Sequence, residues 1–306
     1  MLQRRTLLAA AGASTVLPAK AESVRTEEWR DPARDRVIPV LIRTPRVAGP
    51  APMVLLSHGL GGSREGLAYL GRALADAGYL AVHLQHKGSD AGIWRGQSDP
   101  RNGMAAALLD PGAALARLQD VGFALDHLLS GGAGDVEIDR ERVAIAGHSY
   151  GAWTASHMVG ERLPLAGLGL HLPDRRLRAA VLLSPIPPLG VPANLAYRDI
   201  TAPTLHVTGT HDYGYGVGDW HARTLGFYNA AAPAFLAVLD GANHAAFAGE
   251  EGIGGHWNDP TYQGRTATLA TNFLDAVLRH DAGAKAALLQ GTGLVKGDAF
   301  ESKGLA

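Results

Sequence analysis

Short, mostly apolar runs alternate with segments of helical spacing along most of the chain. Residues 37–42, 53–56, 80–84, 143–146, 179–183, 204–207 and 235–239 are predicted strands. Runs of four to six apolar residues without polar alternation suit strands buried on both faces of a parallel sheet. Between them, 64–77 places Leu67, Leu70, Leu74 and Ala77 on one side and stops at Gly78. Residues 113–129, 152–159, 220–229 and 266–280 are also predicted helices, the last with Leu269, Phe273, Val277 and Leu278 spaced for burial. Strand–helix alternation of this kind predicts an α/β fold with a doubly wound, mostly parallel sheet and right-handed crossovers. Neither a repeat nor a linker marks a second domain, so 22–306 reads as one unit.

The remaining stretches are polar or broken. The polar residues 29–36 introduce the first strand. Residues 85–110 read as a long loop holding His86, Lys87, Ser89, Asp90, Trp94 and Arg95. Residues 163–178 form a Leu/Pro-containing excursion, and 184–198 carry four prolines, which forbids regular structure throughout. Past residue 281 the pattern supports one short helix around 286–289 and then an uninformative tail.

The N-terminus stands apart. Arg4-Arg5, a mild apolar run over 7–17 and Pro18-Ala19-Lys20-Ala21 have the anatomy of an export signal. The arginine pair resembles a twin-arginine signal and predicts cleavage after Ala21, with a periplasmic or secreted mature protein. The run is too short to span a bilayer, so no stable membrane insertion is expected after signal removal.

Composition narrows the chemistry. Of 306 residues, 46% are hydrophobic and 19% charged, as in a soluble globular protein. A net charge of −1 with no basic block gives no reason to expect a nucleic-acid partner. There is no cysteine, which rules out disulfides, a thiol nucleophile and thiolate metal sites. No phosphate-binding glycine loop or dinucleotide fingerprint is present, so no cofactor is expected. His206, His211 and His221 lack metal-ligand spacing, so no metal is expected either.

The most informative stretch is Gly147-His148-Ser149-Tyr150-Gly151, set between an apolar run and a helix-compatible segment. In that setting G-x-S-x-G works as a nucleophile elbow, lifting a serine oxygen above the sheet. A serine hydroxyl needs a base, and histidine titrates near the working pH. His244 follows the strand 235–239, and Asp212 follows 204–207. The order Ser149, Asp212, His244 is that of nucleophile, acid and base in α/β-hydrolases. Each sits just past a strand end, where ligands bind in such sheets. Asp240 and Asp219 are rivals for the acid. The two oxyanion donors are expected at the N–H of Tyr150 and of Leu60, in the Gly-rich stretch His58–Gly62. His86 and Trp94, with Lys87 and Ser89, are expected at the rim of the substrate pocket.

These residues resemble a known group. Trp29-Arg30-Asp31, Ile38-Pro39-Val40, Ser57 to Gly62, His86-Lys87-Gly88-Ser89-Asp90 and Gly147 to Gly151 look like the dienelactone-hydrolase-like α/β-hydrolases. That group is related to the type II platelet-activating-factor acetylhydrolases, and the resemblance covers roughly residues 29 to 280. It implies an α/β-hydrolase fold, a serine esterase with the triad above and no cofactor. True dienelactone hydrolases use a cysteine nucleophile, so the serine branch fits better.

The expected reaction is hydrolysis of a small-molecule carboxylic ester. Segments 163–173 and 184–198 would form a partial cap over short-to-medium acyl chains. A peptidase or amidase with the same triad is the enzymatic alternative, and a catalytically silent binding protein the alternative from another class.

Overall fold

A computed structural model describes residues 23–304 except 47–48, 166–167, 215–217, 253–254 and 258; the expected export signal lies outside them. In chain order the strands are β1 (Val24–Asp31), β2 (Arg36–Arg43), β3 (Ala51–Ser57), β4 (Leu80–Leu84), β5 (Ile138–His148), β6 (Leu163–Leu165), β7 (Leu168–Leu170), β8 (Ala179–Leu183), β9 (Thr204–His211), β10 (Ala234–Asn243), β11 (Glu250–Gly252), β12 (Gly255–Trp257) and β13 (Ala299–Lys303). The helices are α1 (Ala68–Asp76), α2 (Pro100–Leu109), α3 (Pro111–His127), α4 (Tyr150–Met158), α5 (Ala193–Ala196), α6 (Leu225–Asn229), α7 (Pro260–Leu278) and α8 (Ala282–Leu289).

One nine-stranded sheet runs in the order β1-β2-β4-β3-β5-β8-β9-β10-β13, and the pairs β6–β7 and β11–β12 form separate hairpins. From β4 to β10 all neighbours are parallel. Antiparallel pairing closes both ends, through β1–β2–β4 and β10–β13. This is the α/β-hydrolase fold.

The apolar runs are unbroken because both sheet faces are covered. Successive strand side chains point to opposite faces. Met53, Leu55, Val143 and Ile145 pack with Leu118, Val121 and Leu125 of α3 and with Ala152 and Ala155 of α4. Val54, Leu56, Ala144 and Ala146 pack with Leu70 and Leu74 of α1 and with Leu269, Phe273 and Leu274 of α7. Each fully buried Val or Leu contributes roughly 1.5–3 kcal/mol, so the strand ends form a firm base for the loops above them.

Several elements depart from the sequence reading. Residues 24–31, expected as a polar lead-in, pair with β2 as an edge strand. The tail supplies β13, and the long polar loop contains α2. Helix α1 begins only at Ala68, after Leu67 with φ 59°. Helix α7 begins six residues early at Pro260, because Asp259 caps it by accepting from the Thr261 N–H. The expected helix 220–229 divides into a 3₁₀ turn (Trp220–Thr224) and α6. Loops leaving β3, β5, β9 and β10 all emerge on one side, at the carboxyl ends of the parallel strands.

Candidate active site

Ser149 occupies the turn from β5 to α4 with φ 54° and ψ −115°. A non-glycine residue there costs on the order of 1–3 kcal/mol and persists only when its surroundings hold it. Here its N–H donates to Leu183 O at 2.9 Å, and its carbonyl accepts from the Trp153 N–H at 3.0 Å. The flanking glycines make room for the turn. A Cβ on Gly147 would lie 2.1 Å from Gly151 O, and one on Gly151 would lie 1.9 Å from Ser57 O.

His244, directly after β10, bridges two of the predicted residues. Its Nε2 lies 2.9 Å from Ser149 Oγ, and its Nδ1 lies 2.8 Å from Asp212 Oδ1. Asp212 is fully buried. Its Oδ2 accepts from Ser184 Oγ at 2.5 Å and Thr208 Oγ1 at 2.9 Å, and Arg223 Nε lies 2.8 Å from Oδ1. Burial alone would raise this carboxyl. The hydrogen bond and charge of His244, then Arg223 and Ser184, outweigh burial and hold it below its ordinary value. An ionised acceptor on Nδ1–H leaves Nε2 free to take the serine proton. The rival aspartates are engaged elsewhere: Asp240 accepts from Thr210 Oγ1 at 3.2 Å, and Asp219 caps a 3₁₀ turn through the His221 N–H.

Tyr150 opens α4, so its N–H has no carbonyl one turn back to bond. In the facing loop after β3, Gly61 N–H donates to Ser89 O and Gly62 N–H to Gly59 O; among the described residues the Leu60 N–H has no backbone acceptor. Among the described residues neither of these two N–H groups is taken up by a backbone hydrogen bond.

A buried polar network supports that loop. Arg117 is fully buried and donates to Ser57 Oγ, His58 O, Ser89 Oγ and Thr154 Oγ1 at 2.5–3.0 Å. Its guanidinium lies 4.6 Å from the Tyr150 ring centre. It thus ties the loop carrying Leu60 to the helix carrying Tyr150.

Two predicted rim residues are placed otherwise. His86 is fully buried, with Nε2 3.0 Å from Ser57 Oγ and Nδ1 3.1 Å from Asp120 Oδ2. It cannot touch a substrate; it belongs to the support of the loop. Trp94 is half-buried and donates from Nε1 to Gly61 O at 2.6 Å, bracing that loop instead of lining the cleft. A cleft of about 290 Å³ opens beside Tyr150 and Trp153, next to the serine in the chain; Leu108, Leu109, Ile186 and Leu189 wall it, while Ser149 and His244 do not line it. Of the proline-rich segment, residues 186–189 border it. The side chains of 163–170 lie outside the described residues.

Sequence reasoning missed Arg117, Ser184, Thr208 and Arg223, and saw His148 only as a motif letter. For Arg117 a signal existed. In α3 the buried positions include Ala113, Arg117, Asp120, Val121 and Ala124, so two charged residues sit on the apolar stripe. Ser184, Thr208 and Arg223 carry no such mark.

A model of the family described as the alpha/beta hydrolase family matches residues 53–295. Among curated proteins, Cutinase est2 of Thermobifida alba is 30% identical over 200 residues, covering 62% of this chain and 59% of that protein. Cutinase 1 of Thermobifida cellulosilytica is 29% identical over 203 residues, covering 63% and 68%. The chain thus spans about three fifths of the length of the first of these relatives. Among solved structures, a ferulic acid esterase from Streptomyces cinnamoneus superposes with a TM-score of 0.61 at 20% identity, covering 89% of this chain and 93% of that one. A likeness at that identity speaks for the fold alone.

Proposed function

The chain belongs to the alpha/beta hydrolase family, and from that premise we propose that it is a serine esterase cleaving carboxylic esters through an acyl-enzyme on Ser149. The observation that carries this reading is His244 bridging Ser149 Oγ and the buried Asp212 carboxylate. His244 Nε2 takes the hydroxyl proton as Oγ attacks the ester carbonyl, and Asp212 steadies the imidazolium through Nδ1–H. The N–H groups of Leu60 and Tyr150 receive the developing oxyanion. Collapse expels the alcohol, which leaves with the proton held by His244. Water, deprotonated by the same imidazole, then attacks the acyl carbonyl and releases the acid and the serine.

The names of the similar curated proteins, all cutinases, favour an ester over the amide bond of a peptidase. The motifs at His58–Gly62 and Gly147–Gly151 support a place in the dienelactone-hydrolase-like branch. Residues 184–198 act as a partial cap on a single domain. The Arg4-Arg5 segment directs export by the twin-arginine route. Among the described residues no helix is long and apolar enough to cross a membrane.

A fluorophosphonate probe tests the reading. Mass spectrometry should find one adduct, on the peptide holding Ser149, and none on Ser149→Ala. An unlabelled wild-type protein would mark a silent hydrolase fold. A p-nitrophenyl series from acetate to palmitate should favour short and medium chains; preference for the longest alone contradicts the cap.

A further inference from the structure

Helix α4 presents Tyr150, Trp153 and His157 at i, i+3 and i+7, which share one face. Their rings form a continuous wall of the cleft, with centroids 5.1 Å and then 4.1 Å apart. Seven residues of helix rise carry this wall roughly 10 Å away from the serine. At its far end the cleft meets Glu161, which follows the helix.

That far end is chemically unusual. His157 is 3% exposed and Glu161 2%. Nδ1–H of His157 donates to Trp153 O at 2.8 Å, which fixes the tautomer and leaves a lone pair on Nε2. Among the described residues neither Nε2 nor Glu161 Oε2 makes a hydrogen bond of ordinary geometry, and the neighbouring Ser156 hydroxyl, which bears on the Glu161 carboxyl, is unpartnered as well. The two side chains do not satisfy each other, since Nδ1 and Oε2 are 3.7 Å apart. Burial pushes the Glu161 carboxyl up to about 8 and the His157 imidazole down to about 4, so near neutral pH both are uncharged and Glu161 keeps its proton. An apolar pair would fill this place at lower cost, because each orphaned buried polar group costs about 1–3 kcal/mol. What the pair offers is one acceptor and one O–H donor buried just beneath the end of an apolar trough. A hydroxyl group matches both. A carboxylate would face the histidine lone pair, and an ammonium would face the acid proton.

We propose that this cleft is the acyl subsite, that the Tyr150–Trp153–His157 wall carries an extended apolar or aromatic acyl group, and that His157 Nε2 and Glu161 Oε2 hold a hydroxyl at its far end. The subsite deepens the esterase reading and rests on Ser149 as the nucleophile.

Two matched ester pairs test it: methyl 4-hydroxycinnamate against methyl cinnamate, and methyl 8-hydroxyoctanoate against methyl octanoate. In at least one pair the wild-type kcat/KM should favour the hydroxylated ester by roughly tenfold or more. The pair that shows the preference separates an aryl from an alkyl acyl group. Within each variant the same ratio should fall toward one in His157→Phe and in Glu161→Met, a comparison that corrects for any general loss of folded protein. A wild-type ratio at or below one in both pairs, or a preference that persists in both variants, overturns the subsite. Calorimetric binding of the same esters to Ser149→Ala separates the two levels of the argument. A hydroxyl preference in binding without wild-type turnover of any ester keeps the hydroxyl pocket as a binding site but overturns the hydrolase reading, and with it the acyl role of the cleft. Turnover of p-nitrophenyl butyrate without any preference in either assay overturns the subsite alone.

Discussion

His148 donates from Nε2 to the backbone carbonyl of His244 at 2.9 Å, and the two rings lie 4.8 Å apart. The residue before the serine therefore holds the loop that carries the base. Fixing β5 and the loop after β10 to one another sets the Ser149–His244 distance independently of any substrate. His148→Leu should lower kcat by roughly 10- to 100-fold, the scale on which small misplacement of reacting groups acts, with KM little changed. Steady-state kinetics showing an unchanged kcat would remove this tie from the mechanism.

Ser149→Ala should reduce kcat by about 10⁶-fold, and His244→Ala by about as much, since groups that act as a unit are strongly non-additive. The double variant should be no slower than either. Asp212→Asn should cost roughly 10⁴-fold by stabilising the wrong tautomer. Turnover within tenfold of wild type in any of the three would exclude that residue from the proposed role.

Arg117→Lys keeps a cation but loses the planar fork that reaches Ser57, His58, Ser89 and Thr154. We expect kcat to fall on the order of 10²-fold as the Leu60 and Tyr150 N–H groups drift apart, with the ester KM nearly constant. An equal rise in KM with no change in kcat would show that Arg117 supports binding and not the oxyanion site.

Acid should weaken the fold through its buried histidines. Burial pushes His83, His148 and His206 to about 3 and His86 and His157 to about 4, and holds His58 well below its ordinary value. Below about pH 6.5 the unfolded chain binds protons that the folded one refuses, so each histidine removes up to roughly 1.4 kcal/mol per pH unit. Glu161 and Glu250 act in the opposite sense. Burial raises both to about 8, so they weaken the fold as pH rises from about 4.5 to 8. Below pH 6.5 the histidines dominate, and Tm should fall steeply toward pH 4. His206→Leu, remote from Ser149, should flatten that slope; a slope unchanged in the variant would contradict this account.

The parallel strands were legible because burial on both faces leaves few polar interruptions, and none in Met53–Leu56. Ser149 and His244 were legible because their loops follow such strands; Asp212 and Asp240 both follow a strand and both satisfy the chain order, and only their contacts in the fold separate them. Strand β1 was not, since an edge position lets Arg25, Glu27, Glu28 and Arg30 stand in a strand that reads as polar. His86 was misplaced for a related reason. A polar residue after a strand looks solvent-facing, and only the distant partners Ser57 and Asp120 make its burial tolerable. Contacts between residues far apart in the chain leave no local trace, and most of the site's support is of that kind.

The antiparallel ribbons at the two flanks of the sheet have a consequence for behaviour in crowded solution. An uncovered strand border is a row of open amides and carbonyls on which a second molecule can polymerise. Here each border is guarded by a strand with exposed polar side chains, Thr26, Glu28 and Arg30 on one flank and Glu301 and Ser302 on the other. A chain trimmed before residue 299 would bare the long apolar border of β10, and its first symptom would be clumping on storage, well before any failure at Ser149.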